Sequence, residues 1–205
     1  MRLEMHDLEK VFNRRVIFSG LSGSIDSGHT LLITGRNGSG KSTLLKILGH
    51  LLTPTFGSVQ ILDGGAPSSL PLNRIIGFVS PYLNLYDEFS GRENLEFALS
   101  VRGLPVDSAR MEMLLEQVSL GQAADRPVRG YSSGMKQRLK YAFALLHRPP
   151  ILMLDEPMSN LDHQGAAVVR TIMNDQRKTG ILIVATNDRT DVDIFEKQVD
   201  LDREH

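Results

Sequence analysis

Gly35-Arg-Asn-Gly-Ser-Gly-Lys41-Ser42 decides the fold. These eight residues match G-x-x-x-x-G-K-[ST], a spacing in which glycines let successive amides turn inward around an anion. The pattern has meaning only between a strand and a helix, and both flanks comply. Thr30-Leu-Leu-Ile-Thr34 reads as a strand buried on both faces. From Lys41 to Leu48 the apolar Leu44, Leu45 and Leu48 fall on one side of a helix. A turn that merely reversed the chain would not carry a lysine, because an unpaired buried ammonium is costly. The loop, with Asn37, Gly38, Ser39 and Gly40, therefore predicts a phosphate cradle. Lys41 is expected at the β- and γ-phosphates of a nucleotide, the Ser42 hydroxyl on Mg²⁺, and Thr43 near the α-phosphate.

Outward from the loop, strand and helix patterns alternate. Upstream, apolar residues alternate around Leu3, Met5, Leu8 and Val11 and again from Val16 to Ile25, predicting antiparallel strands. Downstream, Gly57 to Leu62 and Ile75 to Val79 read as strands. The pattern then becomes helical. Ser90-Gly-Arg-Glu93 fits a capping box, with a helix through Leu95 and Leu99. Met111, Leu114, Leu115 and Val118 stand at i, i+3, i+4 and i+7. A third helix is expected from Gly134 to His147, with Leu139, Ala142, Phe143 and Leu146 inward, before Pro149-Pro150 stops it. Strand character returns at Ile151 to Leu154, followed by a helix over Gln164 to Asn174, a strand from Ile181 to Ala185 and a tail strand within Phe195 to Leu201. The expected organisation is one domain over 1–205. Its α/β core comprises 1–81 and 149–205, with an N-terminal antiparallel β subdomain, and an inserted helical subdomain covers 82–148.

The strand Ile151 to Leu154 runs into Asp155 and Glu156. Ligands bind at the carboxyl ends of strands in such sheets. Asp155 is expected to hold Mg²⁺ through water, and Glu156 to stand where it can act as general base on water beside the γ-phosphate. A solvated pair at a strand end is the plainer reading of these two carboxylates alone, and the loop upstream tips the balance toward chemistry.

One more motif follows the helical stretch: Tyr131-Ser132-Ser133-Gly134-Met135-Lys-Gln-Arg138 opens the third helix shortly before Asp155. Here the chain resembles the ABC transporter ATPase family, whose signature Leu-Ser-Gly-Gly-Gln opens a helix in an inserted helical subdomain. The resemblance covers essentially the whole length, with its motifs in order. It implies a P-loop fold of the ABC ATPase type. Phe12 would stack on adenine, Gly35 to Ser42 would be Walker A, and Ile151 to Glu156 Walker B with its glutamate. Ser132 and Gly134 would grip a γ-phosphate held by the opposite subunit, and Ser159 to Asp162 would be the D-loop. A plainer role for Ser132-Ser133 is a helix N-cap, compatible with the first. For Lys136 and Arg138 a solvated helix face is preferred over phosphate contact.

The chain departs from the family at three places. Tyr131, Ser133 and Met135 differ from the signature. Pro81, beside Ser80, stands where a glutamine is expected, and proline has no side-chain donor or acceptor. In Thr186-Asn187-Asp188, Asn187 takes the place of the switch histidine. It can hydrogen-bond to a γ-phosphate but does not titrate near neutral pH. Substitution at these two sensing positions implies slow or asymmetric hydrolysis rather than a dead enzyme.

Composition narrows the partners. Lys and Arg number 23 against 24 Asp and Glu, so bulk charge gives no reason to expect nucleic acid. There is no cysteine, hence no disulfide framework. The six histidines (His6, His29, His50, His147, His163 and His205) show no metal-ligand spacing. No stretch approaches the ~20 apolar residues of a spanning helix, and the N-terminus lacks a signal-peptide pattern.

The resemblance therefore implies an ATP-binding and ATP-hydrolysing subunit, dependent on Mg²⁺. It would form a homodimer or heterodimer around ATP and power transport through a separate integral membrane subunit at the cytoplasmic side. The apolar stretch of Tyr82, Leu83, Leu85 and Tyr86 offers that partner a surface or packs inward. By its length, ending at His205 without a regulatory tail, the chain is similar to the haem-exporter ATPase of cytochrome c maturation, with an unspecified export or lipid-directed ABC system as the other transport reading. The alternatives are an ATP-sensing regulatory subunit with little turnover, and a non-transport ABC ATPase.

Overall fold

The computed structural model describes residues 1–187 and 194–202; Asp188 and His205, named above, lie outside them. The chain begins with β1 (Arg2–Phe12), β2 (Arg15–Asp26) and β3 (Thr30–Thr34), then α1 (Lys41–Leu48). Next come β4 (Phe56–Asp63), β5 (Ala66–Pro67), α2 (Leu72–Ile75) and β6 (Ile76–Val79). The helical stretch holds α3 (Gly91–Val101), α4 (Ser108–Gln117) and α5 (Ser133–Leu145). Last come β7 (Ile151–Asp155), α6 (His163–Thr179), β8 (Ile181–Ala185) and β9 (Lys197–Asp200).

The strands form two sheets, an antiparallel β2-β1-β4-β5 and a parallel β6-β7-β8-β3-β9. β1 and β2 turn through Asn13 and Arg14 alone, with φ of 48° and 65°. Two successive left-handed residues give the hairpin turn whose twist matches the strands.

The parallel sheet is covered on both sides, which explains its unbroken apolar strands. Side chains alternate between faces. Leu31, Ile33, Ile151, Met153, Ile181 and Ile183 pack with α1 and the antiparallel sheet. Leu32, Leu152, Leu154, Leu182 and Val184 pack with residues of α3 to α6. The helical stretch thus shares its core with one face of the sheet. Met111, Leu114, Leu115 and Val118 are all buried there, as their period predicts.

Helix starts agree with the sequence where a cap specifies them. Glu93 N–H donates to Ser90 Oγ at 3.2 Å and Ser90 N–H to Glu93 Oε2 at 2.7 Å, so the capping box is complete. Such a cap contributes about 1 kcal/mol, less than the roughly 1.5–3 kcal/mol of one buried leucine. Packing of Leu95 and Leu99 therefore drives α3, and the box sets where it begins. α5 starts one residue earlier than expected, because Ser132 rather than Ser133 is its cap, and it stops at Leu145. α2 and β5 were not foreseen; elements of four and two residues are too short for a period to show. Ile75, expected to open a strand, closes α2 instead.

Candidate nucleotide-binding site

The carboxyl ends of the parallel strands meet along one edge, and most of the residues singled out in the sequence gather there. The phosphate loop follows β3, Asp155 and Glu156 end β7, and Thr186 and Asn187 follow β8, which lies between them.

The loop adopts the turn its glycines predict. Gly40 has φ 104°, and a Cβ there would stand 2.4 Å from Ile17 Cγ2. No side chain caps α1 at this point, which leaves its first-turn amides for an anion. Lys41 is buried, and its Nζ donates to the carbonyls of Gly35 at 2.8 Å and Arg36 at 3.2 Å. The same ammonium lies 3.9 Å from Glu156 Oε1. A cavity of about 300 Å³ opens here, lined by Ile17, Asn37, Gly38, Lys41, Thr43 and Glu156 among others.

The carboxylates differ in environment. Asp155 is buried, and desolvation raises its pKa, opposed by the Ser42 hydrogen bond and by the charges of Lys46 and Lys41. Ser42 Oγ donates to Asp155 Oδ1 at 2.9 Å, while Oδ2 is buried without a hydrogen-bond partner. An orphan carboxylate oxygen beside a hydroxyl is a hard-oxygen donor set that suits Mg²⁺. Glu156 takes the left-handed conformation, φ 48°. Its N–H is held by Ala185 O at 2.8 Å, and Thr186 Oγ1 donates to its Oε2 at 3.1 Å.

The remaining candidates fall in two groups. Asn187 reaches the loop, its Nδ2 donating to Asn37 Oδ1 at 3.1 Å. Phe12, Ser132 and Gly134 do not line this cavity. Phe12 sits at the hairpin turn, 43% exposed, with the Lys10 ammonium 4.7 Å from its ring centroid. Ser132 is exposed and caps α5, accepting from Met135 N–H at 3.2 Å. Gly134 lies against the Ser159 to Asp162 turn, where an added Cβ would be 3.4 Å from Asn160 O. Lys136 pairs with Asp87 at 2.7 Å, and Arg138 donates to Val118 O and Ser119 O at the end of α4. Structural contacts thus account for both cations.

Several site residues went unnoticed in the sequence. Ile17 packs on Gly40, Thr186 holds Glu156, and Asp202 accepts from both Arg36 N–H (3.0 Å) and Arg36 Nε (3.3 Å). A hydroxyl and a carboxylate just past predicted strands were the available signal for the last two; Ile17 had none.

A second concavity, about 490 Å³, lies beside the segment after β6 and is lined by Leu51, Leu72, Phe78, Tyr82, Leu83 and Phe143 among others. Tyr82 is 74% exposed and Tyr86 51%, whereas Leu85 packs toward the core, so this stretch divides between surface and interior. Asn94 anchors it, accepting from Tyr86 N–H at 2.9 Å and donating to Tyr86 O at 3.0 Å.

Comparisons agree with this geometry. Residues 18–159 match the family model for ABC transporters. The chain is 37% identical over 196 residues to the lipoprotein-releasing system ATP-binding protein LolD of Nitratidesulfovibrio vulgaris, covering 91% of this chain and 84% of that one. It is 34% identical over 185 residues to the lantibiotic transport ATP-binding protein SrtF of Streptococcus pyogenes, covering 90% and 79%. An ABC transporter ATP-binding protein of Pyrococcus furiosus shares the fold, with TM-score 0.85 and 23% identity over 100% of this chain and 99% of that one. The ATP-binding cassette MJ0796, solved as a post-hydrolysis dimer bound to ADP and Pi, superposes with TM-score 0.83 at 25% identity, covering 97% and 93%. With the phosphate loop, the paired carboxylates and the helical stretch in place, the chain belongs to the ATP-binding subunits of the ABC transporter family.

Proposed function

We propose that this subunit hydrolyses MgATP between two copies, or between itself and a related subunit, and drives an integral membrane partner from the cytoplasmic side. The observation that carries this reading is the convergence of Lys41, Ser42 and Glu156 on one cavity, with Asp155 hydrogen-bonded to Ser42 behind it and Ser132 outside it. A phosphate contact by Ser132 then calls for a second subunit. The MJ0796 dimer with ADP and Pi supports that arrangement.

In this mechanism Lys41 leaves the Gly35 and Arg36 carbonyls for the outer phosphates, and the α1 amides hold the anion. Ser42 and Asp155 would hold Mg²⁺, which supplies charge neutralisation on the phosphates. Glu156, oriented by Thr186, accepts a proton from the attacking water and the γ-phosphoryl leaves ADP. Asn187 donates toward the γ-phosphate once released from Asn37. Phe12, exposed at the hairpin turn, is the residue that stacks on adenine. Ser132 and Gly134, at the start of α5, meet the nucleotide of the opposite subunit.

Relatives named for lipoprotein release and lantibiotic transport support a transport role. They lend no support to the haem-export resemblance. The groove beside Tyr82 suits the membrane partner, because its lining is largely apolar and Leu51, Leu72 and Tyr82 stand exposed beside it. No helix among the described residues is long and apolar enough to cross a membrane, so passage through the bilayer falls to that partner.

The test is phosphate release from MgATP by the purified chain, abolished in Glu156→Gln, which keeps ATP and runs as an ATP-dependent dimer. A parent that binds ATP and dimerises yet releases no phosphate would instead establish the ATP-sensing reading. Pro81, without a side-chain donor or acceptor, and Asn187, which does not titrate near neutral pH, are what favour that second reading.

A further inference from the structure

Two consecutive residues of α5 hold the chain at the ends of two neighbouring strands. Lys140 is buried, and its ammonium donates to Pro81 O at 2.9 Å and Ser80 O at 3.3 Å, just past β6. Tyr141 is fully buried, and its hydroxyl donates to Pro157 O at 2.7 Å, one residue past Glu156. No carboxylate among the described residues pairs with Lys140, and burial lowers its pKa. A charged group kept in that setting for two backbone carbonyls needs a reason, since an apolar residue of similar size would avoid the desolvation cost.

The backbone of α5 is also pressed close to the sheet. A Cβ at Gly77 in β6 would stand 2.6 Å from Ala144 O, so the helix lies against the strand with no side chain between them. The helix therefore touches both strand ends through buried or part-buried contacts, and packed interiors transmit displacement rather than absorb it. Ser80 lines the groove assigned to the membrane partner, and Glu156 lines the phosphate cavity.

We propose that α5 is a strut between groove and phosphate cavity, with Lys140 and Tyr141 as positioning residues that make Glu156 follow the Ser80–Pro81 segment. The strut supplies through the backbone the connection that Pro81 cannot make with a side chain. Its meaning for turnover rests on the reading of Glu156 as the base.

Hydrogen exchange on the 205-residue chain without nucleotide tests the strut directly. The reporters are the Leu83 amide, bonded to Ser80 O at 3.2 Å, and the amides of Glu156 and Ser159, bonded to Ala185 O at 2.8 Å and Glu156 O at 3.1 Å. Lys140→Met keeps the stem and removes the ammonium; Tyr141→Phe removes only the hydroxyl. Each variant is expected to speed exchange at both reporters by about threefold or more. Met111→Ala, a buried α4 substitution that costs stability without touching either strand end, is expected to leave both unchanged. Acceleration confined to the nearer reporter in each variant, or equal acceleration in Met111→Ala, overturns the strut. In the ATPase assay, both variants are expected to lower kcat about tenfold at unchanged KM, and a fall shared by Met111→Ala counts against positioning. A parent that releases no phosphate refutes the ATPase reading alone, because the exchange result stands without turnover.

Discussion

Ser42 Oγ donates to Asp155 Oδ1 at 2.9 Å, joining the first turn of α1 to the end of β7 and leaving Asp155 Oδ2 buried without a partner. Asp155→Asn keeps the shape and removes the charge a divalent ion requires. Calorimetry is expected to show MgATP affinity falling about tenfold or more, roughly 1.4 kcal/mol, while ATP in EDTA binds as in the parent. Because burial raises the Asp155 pKa, metal binding should weaken with falling pH sooner than at an ordinary aspartate.

Thr186 sets the direction of Glu156 through a 3.1 Å hydrogen bond. Thr186→Val keeps the volume and loses the donor, so the carboxylate is less firmly oriented and kcat is expected to fall about tenfold with KM unchanged. Thr186→Ser, which restores the hydroxyl, should recover most of the rate. Steady-state phosphate release across ATP concentrations separates the two constants.

The capping box at Ser90 is a stability device remote from the chemistry. Ser90→Ala removes the acceptor of the Glu93 amide at the start of α3, while the backbone N–H of residue 90 can still donate to Glu93 Oε2. It is expected to cost about 1 kcal/mol, seen as a Tm lower by roughly 2–4 °C for a chain of this size. Phosphate release at 25 °C should remain parental.

His147 makes stability depend on pH. Burial, with the charge of Arg102, lowers its pKa to about 4 against an ordinary 6.5. Its Nε2 meets Ile76 O at 3.1 Å, and Nδ1 is buried without a partner. The unfolded chain takes up this proton near 6.5 and the folded chain only near about 4. Stability therefore falls as pH drops through that interval and levels off below it. After discount for partial exposure the loss is about 1–2 kcal/mol. Urea unfolding between pH 7 and pH 4 should show this slope in the parent and a shallower one in His147→Gln.

Local chemistry was legible in the sequence, and contacts between distant segments were not. The loop from Gly35 to Ser42, the pair Asp155–Glu156 and the Ser90 box each lie within a few consecutive residues whose spacing carries the geometry. Ile17 against Gly40 arises only when the first hairpin closes over α1, and no periodicity records that. On α5, period 3.6 placed Leu139, Ala142 and Phe143 inward; the structure buries Leu139 and Ala142 but also Lys140 and Tyr141. A long side chain can be apolar along its stem and polar at its tip, so a buried lysine looks like a surface residue in the pattern. Phe143 is only partly buried, with the Arg102 guanidinium 4.9 Å from its ring centroid.

The position of β3 has a consequence for how the protein is made. Its two neighbours are β8 and β9, which lie more than 140 residues downstream in the chain. While the ribosome is still delivering the middle of the polypeptide, the strand that carries the phosphate loop has nothing to pair with. The hairpin of β1 and β2 can form early from local contacts, but the nucleotide cradle must wait for long-range closure. A nascent chain thus cannot complete the parallel sheet around its phosphate loop until β8 and β9 have emerged.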